Sequence, residues 1–257
     1  MVVTQEVVNM VSATTGRTVR GWALVASLRS YMKHGSSSAR EGLIATSMEL
    51  TQAVLSSPSF SGQPKDLPGL SDIVQSSALG VIFDAQSTAD AACVVLLHSI
   101  MDAAASEFCS ATSLIAPERW YPEFEGKKSS LTVQEIVALG ADAFYKVELT
   151  RHMKAVEKIS LPNRIERLQA ICRPGTREIL PNYKYDRERM ESLDRLRHQI
   201  VHENALGQAL QEIAEELEFM RLTNAYLSGL VTTSFQFQIG MGPFMQALYT
   251  TPPLTSP

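Results

Sequence analysis

The chain has 257 residues, of which 45% are hydrophobic and 19% charged, with a net charge of −4 and three cysteines. This length and apolar content suffice for a full hydrophobic core, in one large domain or one domain with an appendage. The cysteines form neither a disulfide framework nor a metal-ligand spacing. We find no run of ~18 uncharged apolar residues and no signal peptide, so we expect a cytoplasmic protein without a membrane partner.

The charges are distributed unevenly along the chain. Residues 146–203 contain 13 lysines and arginines against 9 aspartates and glutamates, whereas acidic residues dominate the remainder. Such a block can attract an anion locally, while the acidic remainder disfavours non-specific wrapping of nucleic acid. A solvated amphipathic surface would give the same pattern, so charge alone leaves both interpretations open.

The first sixty residues predict a helical appendage. Residues 1–34 are interpreted as one or two helices, and Gly35-Ser-Ser-Ser38 is expected to end them before a short helix at 41–56. The apolar anchors of this segment are Val7, Val11, Trp22, Val25 and Leu28. Residues 56–71 contain three prolines, two glycines and five serines, which is typical of a linker.

The rest of the chain predicts an all-α helical bundle over residues 73–237, followed by an irregular tail at 240–257. The helix at 73–108 is apolar around nearly its whole circumference between Ala89 and Met101, as in a helix buried inside a bundle. Thr132 and Glu135 form a capping-box pattern at the start of the next helix. The remaining helices are expected at 132–159, 163–172, 188–204 and 206–231.

The helix near residue 195 carries an unusual group of polar side chains. Its apolar stripe has spacings of three and four residues and consists of Met190, Leu193, Leu196 and Ile200. His198 and His202 are four residues apart and therefore lie on one flank of the helix. Arg195 projects within about 20° of His202 on an ideal helix. Two imidazoles beside arginines at one helix end favour phosphate binding.

A zinc site is the first alternative for the two histidines. A pair at i and i+4 can share a zinc ion, but the His-Glu-x-x-His signature requires glutamate where this chain has Gln199. No third ligand lies nearby in sequence. We therefore expect no metal and no other cofactor.

The segment Arg197-His-Gln-Ile-Val-His202, preceded by Leu193 and Leu196, resembles the Arg-x4-6-His motif of the HEPN superfamily. These are all-α domains, many of which are metal-independent endoribonucleases. The resemblance covers roughly residues 75–235 as an order of helices and is detailed only over 193–204. One subgroup, paired with nucleotidyltransferase antitoxins, has a tyrosine two residues after the histidine, where this chain has Asn204.

The resemblance implies an RNA-cleaving toxin or phage-defence effector, with an antitoxin or regulatory protein as a further partner. His202 would act as general base or acid, His198 as an auxiliary donor and Arg197 as the phosphate clamp. Asp102 would orient that arginine, and Arg195 and Arg189 would bind RNA phosphates.

Geometry adds the expectation of a homodimer. Residues at i and i+5 diverge by about 140° on an ideal helix, so Arg197 and His202 of one chain cannot meet one phosphate unless the helix deforms. A second copy can supply the missing group, and HEPN domains are known for such dimers.

Two other interpretations remain open. The chain could be a non-catalytic helical module that binds RNA or a protein partner, with protein binding resting on the apolar seam of residues 206–231 alone. Arg197 could also be a surface arginine that reaches a carboxylate at the edge of the core. The same Arg-x4-His spacing recurs at Arg29 and His34, outside the predicted bundle.

Overall fold

The described chain is entirely α-helical in its regular structure. The computed structural model describes residues 4–55, 70–124, 129, 131–173, 179–180, 183–202 and 213–236. Almost nine-tenths of it is helical and none of the described residues lies in a β-strand, so the predicted all-α bundle is confirmed. Most of the predicted linker at 56–71, the tail at 240–257 and Asn204 lie outside the described residues.

The helices follow one another along the chain with short connections where these are described. Two single-turn 3-10 helices, Pro117–Arg119 and Tyr121–Glu123, come between the second and third α-helices. The α-helices are α1 Gln5–Leu55, α2 Leu70–Ile115, α3 Val133–Leu139, α4 Ala141–Val156, α5 Leu161–Cys172, α6 Arg187–His202 and α7 Ile213–Ser234.

Helices α1 and α2 pack against each other in antiparallel orientation. Near the start of α1, Thr14 donates a hydrogen bond to Glu107 of α2, and further along the Arg29 Nε lies 3.0 Å from the Asp90 carboxylate. Four predicted anchors, Val7, Val11, Trp22 and Val25, are buried in one hydrophobic core with α2 and α7, and the fifth, Leu28, is partly buried against it. Whether the chain divides near residue 60 stays a prediction.

The predicted end of the first helix at Gly35-Ser-Ser-Ser38 is wrong. Helix α1 continues through this segment to Leu55. A helical glycine costs only about 1 kcal/mol and serine less, which is too little to end a helix whose neighbouring turns are already formed. The chain likewise passes Gly80 inside α2 without a break.

Helix α2 is the central helix of the core and packs against α1, α5, α6 and α7. Its second half is buried around most of its circumference, as predicted, through Ala91, Cys93, Val94, Leu97, Met101, Ala104, Ala105 and Phe108. Among the described residues, Ala85–Ile115 is the one stretch that is long and apolar enough to cross a membrane. Half of its most apolar window is buried in the fold, so this is weak evidence for a membrane.

The predicted single helix over 132–159 is two helices, α3 and α4, which meet at Gly140. The capping box is confirmed: the Thr132 backbone N–H donates to Glu135 at 2.7 Å, and the Glu135 N–H donates to the Thr132 hydroxyl at 3.3 Å. Gly140 has φ +76°, a conformation that glycine adopts without the Cβ clash of other residues. The glycine therefore separates two helices that sequence periodicity joined.

The contact between Gly21 of α1 and Ile100 of α2 gives a testable prediction about packing. A Cβ added at Gly21 would run into the Ile100 Cδ1, whereas the nearest atom at Gly16 is an Arg20 nitrogen 3.7 Å away. Both changes to alanine gain up to ~1 kcal/mol of helix propensity. Because only Gly21→Ala must turn the end of a neighbouring side chain away, we expect it to be less stable than Gly16→Ala by about 1 kcal/mol.

Urea denaturation of the two variants measures this difference in the free energy of unfolding. Gly16→Ala is the matched control because it makes the same substitution on the same helix. Equal free energies for the two variants would mean that α1 does not approach α2 closely at Gly21.

The three cysteines are all free and buried in the core. Burial raises the pKa of the Cys93 thiol to about 11 and the pKa values of Cys109 and Cys172 to about 12. A thiol reacts as its thiolate, and a pKa two units higher lowers the thiolate fraction about 100-fold near neutral pH.

We therefore expect the native protein to react with a disulfide reagent at pH 8 at least ~100-fold more slowly than a free thiol. In guanidinium chloride all three thiols should react at the ordinary rate. Counting the released chromophore over time checks this, and rapid labelling of one or more thiols in the native protein would contradict the buried placement.

Candidate phosphate site

Helix α6 is built as the sequence predicts. Its stripe faces the core, with Met190, Leu193 and Ile200 buried and Leu196 packed against them. At the start of the helix, the Arg187 Nε donates to Glu191 at 2.8 Å. The apolar stripe therefore fixes which flank of α6 carries its histidines and arginines.

The two arginines of α6 that were predicted to bind RNA phosphates, Arg189 and Arg195, have partners within the protein. Arg189 lies 3.1 Å from the Glu216 carboxylate, and its guanidinium sits over the Phe219 ring at 4.6 Å, so it joins α6 to α7. Arg195 is exposed and donates to the Ser192 hydroxyl at 2.9 Å. The predicted phosphate contacts of Arg189 and Arg195 stay predictions, and Arg189 would have to leave α7 to make one.

A polar cavity of about 570 Å³ opens beside α6. It is bounded by α2, α5, α6 and the turn between α4 and α5. Six of the residues that line it can carry a charge: His98, Asp102, Glu157, Arg164, Asp194 and Arg197.

A histidine–carboxylate contact and an ion pair occupy part of this cavity wall. The Nε2 of His98, whose side chain is 7% exposed, lies 2.5 Å from the Asp194 carboxylate. Asp102 is paired with Arg164, whose side chain is also 7% exposed, and Arg164 donates a second hydrogen bond to the Asp102 carbonyl at 3.3 Å. Asp102 lines the same cavity as Arg197, but its carboxylate pairs with Arg164, so the predicted contact that would orient Arg197 is not observed.

Arg197 differs from the other arginines of α6 in having no partner among the described residues. Within the described part of the chain it makes no hydrogen bond and no ion pair, and its Nε is buried without an acceptor. A buried donor without a partner costs roughly 1–3 kcal/mol. The arginine therefore lines the cavity with a guanidinium that no described carboxylate neutralises, and an anion in the cavity could pair with it.

The two histidines of α6 lie on a different side of the helix. The rings of His198 and His202 are 4.5 Å apart, which confirms that they share one flank. Both are exposed, and neither lines the cavity that Arg197 lines. Within one chain the structure thus separates Arg197 from His202, as the spacing of five residues predicts.

Sequence reasoning missed three residues of this site: His98, Asp194 and Arg164. The available signal was a titratable residue in an apolar context, since His98 interrupts the most hydrophobic part of α2 and Arg164 is buried in α5. Their partners lie 96 and 62 residues away in the chain. No local pattern indicates such pairings.

Within the residues that the structure describes, no group of three or more His, Cys, Asp or Glu side chains could hold a metal ion.

The chain matches no protein-family model, no curated protein and no solved structure. The site must therefore be interpreted from its own geometry and chemistry.

Proposed function

We propose that this protein is a metal-independent endoribonuclease that resembles the HEPN superfamily and acts as a homodimeric toxin or defence effector. The proposal includes an RNA substrate, a cytoplasmic location and control by an antitoxin or other regulatory protein. No metal or cofactor takes part in it.

One observation carries the proposal: Arg197 lines a large polar cavity and makes no hydrogen bond or ion pair with any described residue. A guanidinium offers a fixed fork of donors that matches two phosphate oxygens. A phosphate of the RNA backbone would satisfy this arginine and receive a cation where negative charge develops in the transition state. A surface arginine held by a core-edge carboxylate would instead have an acidic partner, and none of the described residues provides one.

The proposed chemistry uses the histidines for proton transfer. A general base removes the proton of the ribose 2′-hydroxyl, and the 2′-oxygen attacks the adjacent phosphorus. The bond to the 5′-oxygen breaks, and a general acid protonates that leaving oxygen. Histidine titrates near neutral pH and can act as a base or as an acid. We therefore assign the role of general base or acid to His202 and that of an auxiliary hydrogen-bond donor to His198.

A second copy of the chain completes the proposed site. In one chain, Arg197 lines the cavity while His202 is exposed on another side of α6. A two-fold axis brings the same surface patch of two copies together, so that His202 of one copy can approach the cavity of the other. The dimer would have about twice the 28.2 kDa mass of one chain.

The second candidate function is a non-catalytic helical module that binds RNA or a protein. The separation of Arg197 from His202 favours it if the protein is a monomer, because one chain then lacks a complete constellation.

Incubation of the purified protein with total RNA in excess EDTA tests the proposal. We expect RNA fragments to accumulate at the same rate with and without the chelator. Activity that EDTA abolishes and Mg²⁺ restores would contradict the mechanism, and no cleavage under any condition would favour the non-catalytic module.

A further inference from the structure

A second cavity lies on the other side of the turn between α4 and α5. It has a volume of about 260 Å³ and is lined by Phe124, Glu148, Arg151, His152 and Arg167, with Ala155 and Ile159 at its base. A planar nucleobase fits within this volume. The cavity thus combines two aromatic rings, two arginines and a carboxylate.

The two rings that line this cavity, Phe124 and His152, form an aromatic wall that contacts with neighbouring side chains hold in place. The rings of Phe124 and His152 have centroids 5.6 Å apart, and the buried Trp120 ring lies 6.2 Å from His152. Arg167 Nη1 lies 3.3 Å from His152 Nε2. Since a guanidinium can only donate, Nε2 is the acceptor in this contact. Rings fixed in this way form a surface on which a base can stack.

The carboxylate of Glu148 faces the cavity with acceptor capacity to spare. Its side chain is 10% exposed, and Oε1 accepts a hydrogen bond from the Ser129 hydroxyl at 2.6 Å. Oε2 is 3.7 Å from Arg151 Nη1, which is too long for a good hydrogen bond. Arg151 is itself half-exposed. Both groups can therefore turn to a ligand at small cost.

We propose that this second cavity binds an unpaired guanine base of the RNA substrate. Guanine carries two adjacent donors, N1–H and the N2 amino group, which match the two lone-pair directions of a carboxylate such as Glu148. Its O6 and N7 acceptors match the donor fork of an arginine. Adenine has no N1–H and would leave Glu148 with one donor, so the cavity selects guanine.

The second cavity lies next to the first along α5 and along the turn between α4 and α5. Arg164 lines the cavity of Arg197, and Arg167 lines the second cavity three residues later on α5, a rise of about 4.5 Å. Glu157 and Ser160 belong to the first cavity, whereas Ala155 and Ile159 belong to the second. A guanine seated in the second cavity would bring a neighbouring phosphate toward Arg197. In this sense the inference rests on the proposed ribonuclease function.

Calorimetric titration of the full chain with 5′-GMP, AMP, CMP and UMP tests the guanine site without requiring cleavage. We expect GMP to bind at least ~10-fold more tightly than AMP. Glu148→Gln should remove that preference, because an amide presents one donor where guanine needs two acceptors. Arg151→Ala should weaken GMP binding several-fold, whereas Lys154→Ala should leave it unchanged. Lys154 is the matched control since it is an exposed cation on α4 outside the cavity.

The aromatic wall is tested by Phe124→Leu, with Phe144→Leu as its control. Phe144 belongs to the same group of rings but does not line the cavity. Loss of a stacking ring should weaken GMP binding ~10-fold or more. Circular dichroism checks the fold of each variant, and the exposed Arg151 provides an independent test if Phe124→Leu unfolds.

A final binding experiment distinguishes recognition of guanine within RNA from binding of the free nucleotide. A labelled single-stranded octamer with one guanine should bind more tightly than the same octamer with adenine in its place. The inference is overturned if GMP does not bind saturably, if AMP binds equally well, if Lys154→Ala weakens binding as much as Arg151→Ala, or if the octamers bind alike. Guanine binding without RNA cleavage would contradict the proposed ribonuclease activity but support the guanine site. RNA cleavage without guanine binding would support the ribonuclease activity and contradict the guanine site.

Discussion

Replacing Arg197 by alanine is expected to lower RNA cleavage by at least ~100-fold while leaving helicity and melting temperature nearly unchanged. The substitution removes the cation that stabilises the negative charge on the phosphate in the transition state. Removal of one such donor typically lowers the rate 10²–10³-fold. The fold should tolerate the change because Arg197 makes no hydrogen bond or ion pair with any described residue, so no partner is orphaned. Single-turnover cleavage of a defined RNA measures the effect.

Two comparisons sharpen this prediction. Arg197→Lys keeps the charge but loses the fork of donors, so we expect a rate between those of the wild type and Arg197→Ala. His34→Ala tests the second match to the motif and should leave cleavage intact, since the Arg29 of that match is already paired with Asp90 at 3.0 Å. Equal losses from Arg197→Ala and His34→Ala would mean that the motif carries no functional information.

Co-expressed Arg197→Ala and His202→Ala chains are expected to recover about a quarter of wild-type activity, although each variant alone is inactive. Random pairing makes half of the dimers mixed. If each site takes its arginine from one chain and its histidine from the other, a mixed dimer has one intact site of two. Cleavage rate per total protein, measured on the purified mixture, gives the recovered fraction.

The matched control pairs the wild type with the double variant Arg197→Ala/His202→Ala. Composite sites predict about a quarter of wild-type activity here as well, because mixed dimers have no intact site. Sites contained within one chain predict about half in this control and none in the first mixture. A monomer that remains active at nanomolar concentration would also contradict the composite site.

The spacing of apolar residues along the chain correctly predicted which faces of the helices are buried. The stripe of α6 and the all-round apolar surface of α2 both follow from residue spacing, and both are buried as expected. The errors came from glycines. Gly35 does not end α1 as predicted, whereas Gly140, with its positive φ, separates α3 from α4 where one helix was predicted. Sequence alone does not state a glycine's φ, and packing elsewhere decides whether the helix continues.

The sequence predicted the geometry of the candidate site only for residues that are close together in the chain. The adjacency of His198 and His202 and their separation from Arg197 both follow from 3.6 residues per turn. The pairs that line the cavity could not be predicted, because His98 meets Asp194 and Asp102 meets Arg164 only after α2, α5 and α6 have packed together. The prediction that Asp102 belongs to the site of Arg197 agrees with the shared cavity, whereas its pairing with Arg164 had no local signal.

The chemical ends of the cleaved RNA test the central claim most directly. Attack by the 2′-hydroxyl, assisted by histidine and Arg197, leaves a 2′,3′-cyclic phosphate on one fragment and a 5′-hydroxyl on the other. Mapping the ends produced by the wild-type protein in EDTA should give these two groups, with none above background for Arg197→Ala. Fragments that end in 3′-hydroxyl and 5′-phosphate groups would contradict the proposed mechanism.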